Sequence, residues 1–264
     1  MSFKESRHRA RVRRWLVVPV VSPMVMLLPI GPAHAYDCGS FKNGNWHNSF
    51  TSERDSFPRE DISGVRATID QRSVKFCSGG KSSIKFSNTY VMLQGNRSVS
   101  LSGWMQVGYE RQSAANKYPG YRHFAQNFNN QRDASGRLVV NTYYGPKITL
   151  GGAKNFKVDA VNSLYQPRVV DALVGGKIVL SGSWGRWQRP LDLEVSQEST
   201  YRENDVPGTS ANKVTVKSLK YKRGTSGGFY DMPAGVLRRS SDSNRWKKGS
   251  PSATTKRFWT DPTN

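Results

Sequence analysis

Cysteine and histidine are scarce in this chain, at two and four of 264 residues. That scarcity excludes zinc-finger arrays, iron–sulfur clusters and a disulfide-dense miniprotein. Acidic residues are also few: 19 Asp+Glu stand against 40 Lys+Arg, a formal charge of +21. The imbalance implies attraction to polyanions without saying which kind. Beyond the N-terminus there is no long apolar run, so a polytopic membrane protein is excluded. His-Glu-x-x-His, GxGxxG and Walker-type sequences are missing as well, which leaves metalloprotease and nucleotide chemistry unsupported. No cofactor and no metal site is implied.

The N-terminus has the three parts of an export signal. Lys4, Arg7, Arg9, Arg11, Arg13 and Arg14 precede an apolar run from Trp15 to Ile30, and Ala33-His34-Ala35 supplies a small-x-small cleavage pattern. Pro19, Pro23 and Pro29 interrupt the run, which is too short to span a bilayer. Residues 1–35 therefore read as a signal peptide cut after Ala35, and the chain as secreted. Whether the route is Sec or Tat stays open. Processing leaves 34 Lys+Arg and 18 Asp+Glu, a charge of +16. In an oxidising compartment Cys38 and Cys77 pair most simply with each other, a bridge that stabilises by roughly 4 kcal/mol in the chain-entropy model. After cleavage only His47 and His123 remain, so a three-histidine zinc site is impossible.

Hydrophobic residues recur with a period of two. Val65, Ala67 and Ile69 alternate with polar neighbours, as do Phe156, Val158 and Ala160, while Val99, Leu101, Met105, Val107 and Tyr109 continue one face of a longer run. Gly175-Gly176 lies between two apolar runs and predicts a hairpin over 170–180. A further strand is expected near 213–222, and only a short turn near 111–117. Many short strands and no capped helix point to one all-β domain, an antiparallel jelly-roll-like sandwich over 36–223. Residues 224–264 are rich in Gly, Ser, Thr and Pro, with basic pairs Arg238-Arg239, Lys247-Lys248 and Lys256-Arg257. They read as a basic, largely solvated C-terminal tail.

Two constellations could carry chemistry. In Leu191-Asp192-Leu193-Glu194-Val195-Ser196-Gln197-Glu198, Asp192, Glu194, Ser196 and Glu198 share one strand face. Asp192 and Glu194 could approach the roughly 5 Å between carboxyl groups that retaining glycoside hydrolysis needs. The same alternation also arises on any strand with one wet face. The second constellation is a set of candidate binding residues. Trp104, Gln106 and Glu110 share the polar face of their run, Arg122 and His123 lie in an aromatic-amide stretch over 121–128, and Trp184 and Trp187 could add a loop platform. Flat aromatic faces beside amides and carboxylates suit sugars, although large aromatics also fill cores.

The strings Ser-Gly-Trp-Met-Gln-Val-Gly-Tyr-Glu-Arg (102–111), Tyr-Arg-His-Phe-Ala-Gln (121–126) and Gln-Glu-Ser-Thr-Tyr-Arg-Glu-Asn-Asp-Val-Pro-Gly-Thr (197–209) carry a resemblance. They resemble uncharacterised secreted proteins of Gram-positive soil bacteria, particularly actinomycetes, which are similar in strand pattern to the concanavalin A-like lectin/glucanase sandwiches. The likeness covers about 64–222 and implies a jelly roll. Glucanases of that class carry a Glu-x-Asp-x-Glu or Glu-x-Asp-x-x-Glu strand, whereas Pro190 stands here where the leading glutamate would precede Asp192. The expectation is therefore a non-enzymatic binding protein for cell-wall or other extracellular anionic polysaccharide. A glycoside hydrolase or lyase using Asp192 and Glu194 is the alternative, and nucleic-acid binding is a third reading favoured by charge only.

Overall fold

The computed structural model describes residues 45–52, 62–78, 84–95, 103–161, 169–183, 191–201, 204–224 and 227–261. The described strands are β1 (Trp46–Ser52), β2 (Ile62–Asp70), β3 (Phe86–Gln94), β4 (Trp104–Gln112), β5 (Gly120–Arg132), β6 (Leu138–Lys147), β7 (Ala153–Val161) and β8 (Val169–Val174). They continue with β9 (Lys177–Ser183), β10 (Asp192–Ser199), β11 (Val214–Arg223), β12 (Phe229–Asp231), β13 (Leu237–Ser241), β14 (Trp246–Ser252) and β15 (Thr255–Thr260). One sheet runs β13-β1-β10-β3-β4-β5-β6 and the other β14-β15-β11-β2-β7-β8-β9, with β12 added on β11. Every pairing between these strands is antiparallel. The fold is the expected all-β sandwich.

The period of two explains where the core lies. Val65, Ala67 and Ile69 of β2, Met105, Val107 and Tyr109 of β4, and Phe156, Val158 and Ala160 of β7 are all fully buried between the sheets. Leu193 and Val195 of β10 join them, with Leu191 just ahead of that strand. Each Val, Leu, Ile, Phe and Met among them contributes roughly 1.5–3 kcal/mol by leaving water. The hairpin falls where expected: Gly175 and Gly176 connect β8 to β9 with φ of 58° and 84°, the values a two-residue turn of this type requires. Val99 and Leu101 lie outside the described residues.

Residues 224–264 differ from the solvated tail expected of their composition. They supply β12 to β15, and Trp246 and Phe258 are buried. Phe258 meets Phe50 of β1 edge to face, with ring centroids 5.4 Å apart. A few well-spaced aromatics are enough to seat edge strands, because neighbouring strands supply the rest of the apolar surface. Cys77 packs with Tyr201 and its N–H donates to Asn204 Oδ1 at 3.0 Å. Cys38, its expected partner, lies outside the described residues, as does the signal segment.

Candidate functional site

The face of the seven-stranded sheet that points away from the core carries a cleft of about 770 Å³. Strand register arranges its side chains in rows. In one row Thr51, Glu194, Met92, Gln106, Gln126 and Thr142 are successive partners across β1, β10, β3, β4, β5 and β6. The next holds Ser49, Ser196, Tyr90, Gly108, Phe124 and Tyr144, and the one beyond it His47, Glu198, Asn88, Glu110 and Arg122. Glu194 and Gln106 thus stand on either side of Met92, two strand spacings or about 10 Å apart at the backbone. Tyr90, Met92 and Phe124 form an apolar floor, with Trp104 and Tyr144 packed against it.

The polar groups on this floor are held in place. Tyr90 Oη donates to Glu194 Oε1 at 3.1 Å and lies 3.4 Å from His47 Nδ1. Thr51 Oγ1 approaches Glu194 Oε2 at 3.5 Å. Gln106 Nε2 donates to Gln126 Oε1 at 2.6 Å, which uses one of its two N–H donors. Gln112 donates to Glu110, and Asn88 Nδ2 donates to Glu198 Oε2 at 3.4 Å.

Burial dominates the electrostatics. It pushes the Glu110 carboxyl up to about 7, against the Gln112 hydrogen bond and Arg122, with the Glu198 charge adding to the rise. Glu198 is raised by burial too, partly opposed by His47 and Asn88. The Tyr144 phenol is pushed up to about 12, by burial first and Glu110 second. Burial and the charges of Glu194 and Glu198 raise the Tyr90 phenol well above its ordinary value, so it stays a proton donor. Glu110, Glu194, Glu198 and Asp242 line the cleft, and among the described residues no lysine or arginine does. Among the described residues, no group of three or more His, Cys, Asp or Glu side chains is arranged to hold a metal ion.

Of the residues singled out from sequence, Trp104, Gln106, Glu110 and Glu194 come together on this face. Asp192 is buried opposite Gln94 but is not among the lining residues, so the Asp192/Glu194 pair is not the one presented. Glu194 lines the cleft with Glu198 instead. Arg122 sits beside Glu110 in the ladder, donates from Nη1 to Gly145 O at 2.7 Å and lies over the Tyr118 ring. His123 has the opposite parity and points between the sheets, 2.8 Å from Gln71 Nε2 and edge-on to Phe156. Burial lowers its pKa. Trp184 and Trp187 lie outside the described residues. His47, Asn88, Tyr90 and Gln126 were missed. The alternation Asn88, Tyr90, Met92 was the available signal, but Val91 and Leu93 are buried on the other face, and the segment reads as a continuous buried run.

No family model matches the sequence, and no curated protein matches it. Solved structures do. A scytalido-glutamic peptidase bound to a peptide-based transition state analog is 12% identical, covers 83% of this chain and 98% of that one, and superposes with a TM-score of 0.50. A second structure of that peptidase, with a transition state analog inhibitor, gives 12%, 82%, 98% and 0.51. The two-sheet sandwich is what they share. A non-specific endo-beta-1,3(4)-glucanase from family GH16 is a fainter likeness, at 8% identity, 60% and 62% coverage and a TM-score of 0.36. The expectation of a non-enzymatic binding protein is corrected here. The two structures that superpose at TM-scores of 0.50 and 0.51 are of an enzyme, and the cleft presents constrained carboxylates and an amide beside Trp104.

Proposed function

We propose that the chain is a hydrolase of peptide bonds working at acid pH, with Glu194 as general base and Gln106 as the group that stabilises the oxyanion. The observation that carries this is the placement of Glu194 and Gln106 on one row of the cleft, either side of Met92, in a fold similar to a glutamic peptidase over 98% of that chain. A substrate carbonyl lying over Met92 has a carboxylate on one side and an amide on the other. Glu194 takes a proton from water as the oxygen adds to the carbonyl carbon. The remaining N–H of Gln106 Nε2 donates to the oxygen that becomes negative. Glu194 then passes the proton to the leaving nitrogen, and the C–N bond breaks to give a carboxylic acid and an amine. Export by the N-terminal signal and a Cys38–Cys77 bridge complete the proposal: the enzyme acts outside the cell.

The test is digestion of an unfolded protein by the secreted chain across acid pH, read as new peptide termini by mass spectrometry. Cleavage that disappears in Glu194→Gln supports the reading. A folded wild-type protein that cuts nothing across that range would overturn it.

A second reading has its own observation. Glu110 and Glu198 flank Asn88 two strands apart, and Glu110 is held near 7 by burial. Two carboxyls facing each other across one strand, one of them able to stay protonated, are the equipment of a glycosidase. Release of reducing ends from a polysaccharide panel, lost in Glu110→Gln, would favour it over peptide cleavage.

A further inference from the structure

Glu194 is held by two hydroxyls, and both are shared: Thr51 Oγ1 with Ser49 Oγ, and Tyr90 Oη with His47. The Tyr90 Oη has a single proton and two acceptors within reach, Glu194 Oε1 at 3.1 Å and His47 Nδ1 at 3.4 Å. The outcome of that competition depends on the imidazole. With a lone pair on Nδ1, His47 draws the phenol proton part of the time. With a proton on Nδ1, it becomes a donor to the phenol oxygen.

We propose that His47 and Tyr90 act in series as a positioning pair for Glu194: protonated His47 donates to Tyr90, whose own proton is then committed to Glu194, keeping that carboxylate ionised and fixed at acid pH. This rests on the reading of Glu194 as the base, and it supplies that reading with regulation. A lone carboxylate base fails as pH falls, because it protonates. A base wired through Tyr90 to a charged histidine keeps a committed donor, and a donor hydrogen bond favours the charged form of a carboxylate.

The surroundings permit this chain. Glu198 on β10 is the ladder partner of His47 and feels its charge. Asp242, just after β13, accepts the His47 backbone N–H at 2.7 Å and lines the same cleft. Glu110 on β4 adds to the negative field through Glu198, and Lys248 on β14 reaches the group through Asp242. The tyrosine cannot act as an acid in its own right over the working range, because burial and the neighbouring carboxylates keep its proton on.

The experiment is a carbon-13 titration of glutamate-labelled full-length protein, with the Glu194 resonance assigned by its loss in Glu194→Gln. Tyr90→Phe should raise the Glu194 midpoint by about one unit and His47→Gln by about half that, the scale of one hydrogen bond to a charged group. The double variant should shift no further than Tyr90→Phe alone, because both changes cut one chain. The acidic limb of kcat/KM should move the same way. An unchanged Glu194 midpoint in Tyr90→Phe, or single shifts that add in the double variant, would overturn the proposal. If Tyr90→Phe fails to fold, His47→Gln decides alone: a raised midpoint upholds the chain and an unmoved one ends it. Because the midpoint is read without substrate, a shift in a protein that cleaves nothing removes the peptidase reading and leaves the pair standing.

Discussion

The cleft and the outer face of the opposite sheet carry opposite charge. On the eight-stranded sheet, Lys220, Arg66 and Lys157 are successive partners across β11, β2 and β7. Lys220 is paired with Asp231 at 2.9 Å, while Lys157 and Lys222 share Asp159 at 3.1 and 2.7 Å. Among the described residues, the cleft of this +21 chain is lined by four carboxylates and no lysine or arginine. Net charge therefore describes what surrounds the site and misstates the site itself. The polyanion expectation followed from the sum, whereas a substrate meets the local field.

The largest test of that contrast is catalytic. Glu194→Gln should cost about 10³-fold in kcat/KM, and Gln106→Ala about 10²-fold, within the range for a general base and an oxyanion donor. Lys220→Gln on the outer face should leave kcat/KM within about twofold, the usual scale of a surface change. Comparable losses at both places would break the comparison.

Next comes pH. Burial raises the Glu110 carboxyl to about 7 from its ordinary 4.5. The folded state holds this proton more tightly than the unfolded chain does. Stability should therefore be unpenalised below about 4.5, fall as pH rises between 4.5 and 7, and stay reduced above 7. The penalty is on the order of 3 kcal/mol, and urea midpoints at both ends of the window would measure it. Glu110→Gln should flatten the slope.

The basic flank should slope the other way, and more weakly. Burial, with Arg239 next, lowers Lys248 and Lys256 to about 8 from 10.5. The folded state gives up these protons early, so stability is reduced below about 8 and is recovered as pH climbs from 8 to 10.5. Lys256→Met should remove part of that recovery in alkaline melts. The smallest effect concerns Ser218, which has φ of 51° inside the irregular stretch of β11 between Lys217 and Lys220. Ser218→Gly should gain about 0.5–1 kcal/mol by relieving a left-handed backbone, with no effect on the cleft.

Strand identity was readable wherever one face is apolar and the other wet, as at Val65 to Ile69 and Phe156 to Ala160. The hairpin was readable because Gly175-Gly176 has few other uses. The site was legible in pieces: Gln106, Glu110 and Glu194 each stood out, but register is a nonlocal property, and nothing near Glu194 says that Met92 lies beside it or that Gln106 comes next. Glu198 lies on the same strand face as Glu194, four residues of extended strand away. The cleft runs along the strand as well as across it, so both carboxylates line it. The tail was misread because composition weighs the average residue, while Trp246 and Phe258 act singly against a surface already built.

The strand that carries His47 has an unusual history in the chain. β1 is laid down first among the described strands, yet its ladder partners are β10 and β13, which end at Ser199 and Ser241. During synthesis it waits for β10 to cover one edge and for β13, some forty residues later, to cover the other. Long-range pairing of this kind folds slowly, and the cleft cannot close around His47 until β13 has arrived. β3 and β4, which carry Tyr90 and Gln106, are neighbours in sequence as well as in the sheet, whereas β1 gains its second neighbour only once Ser241 has been made.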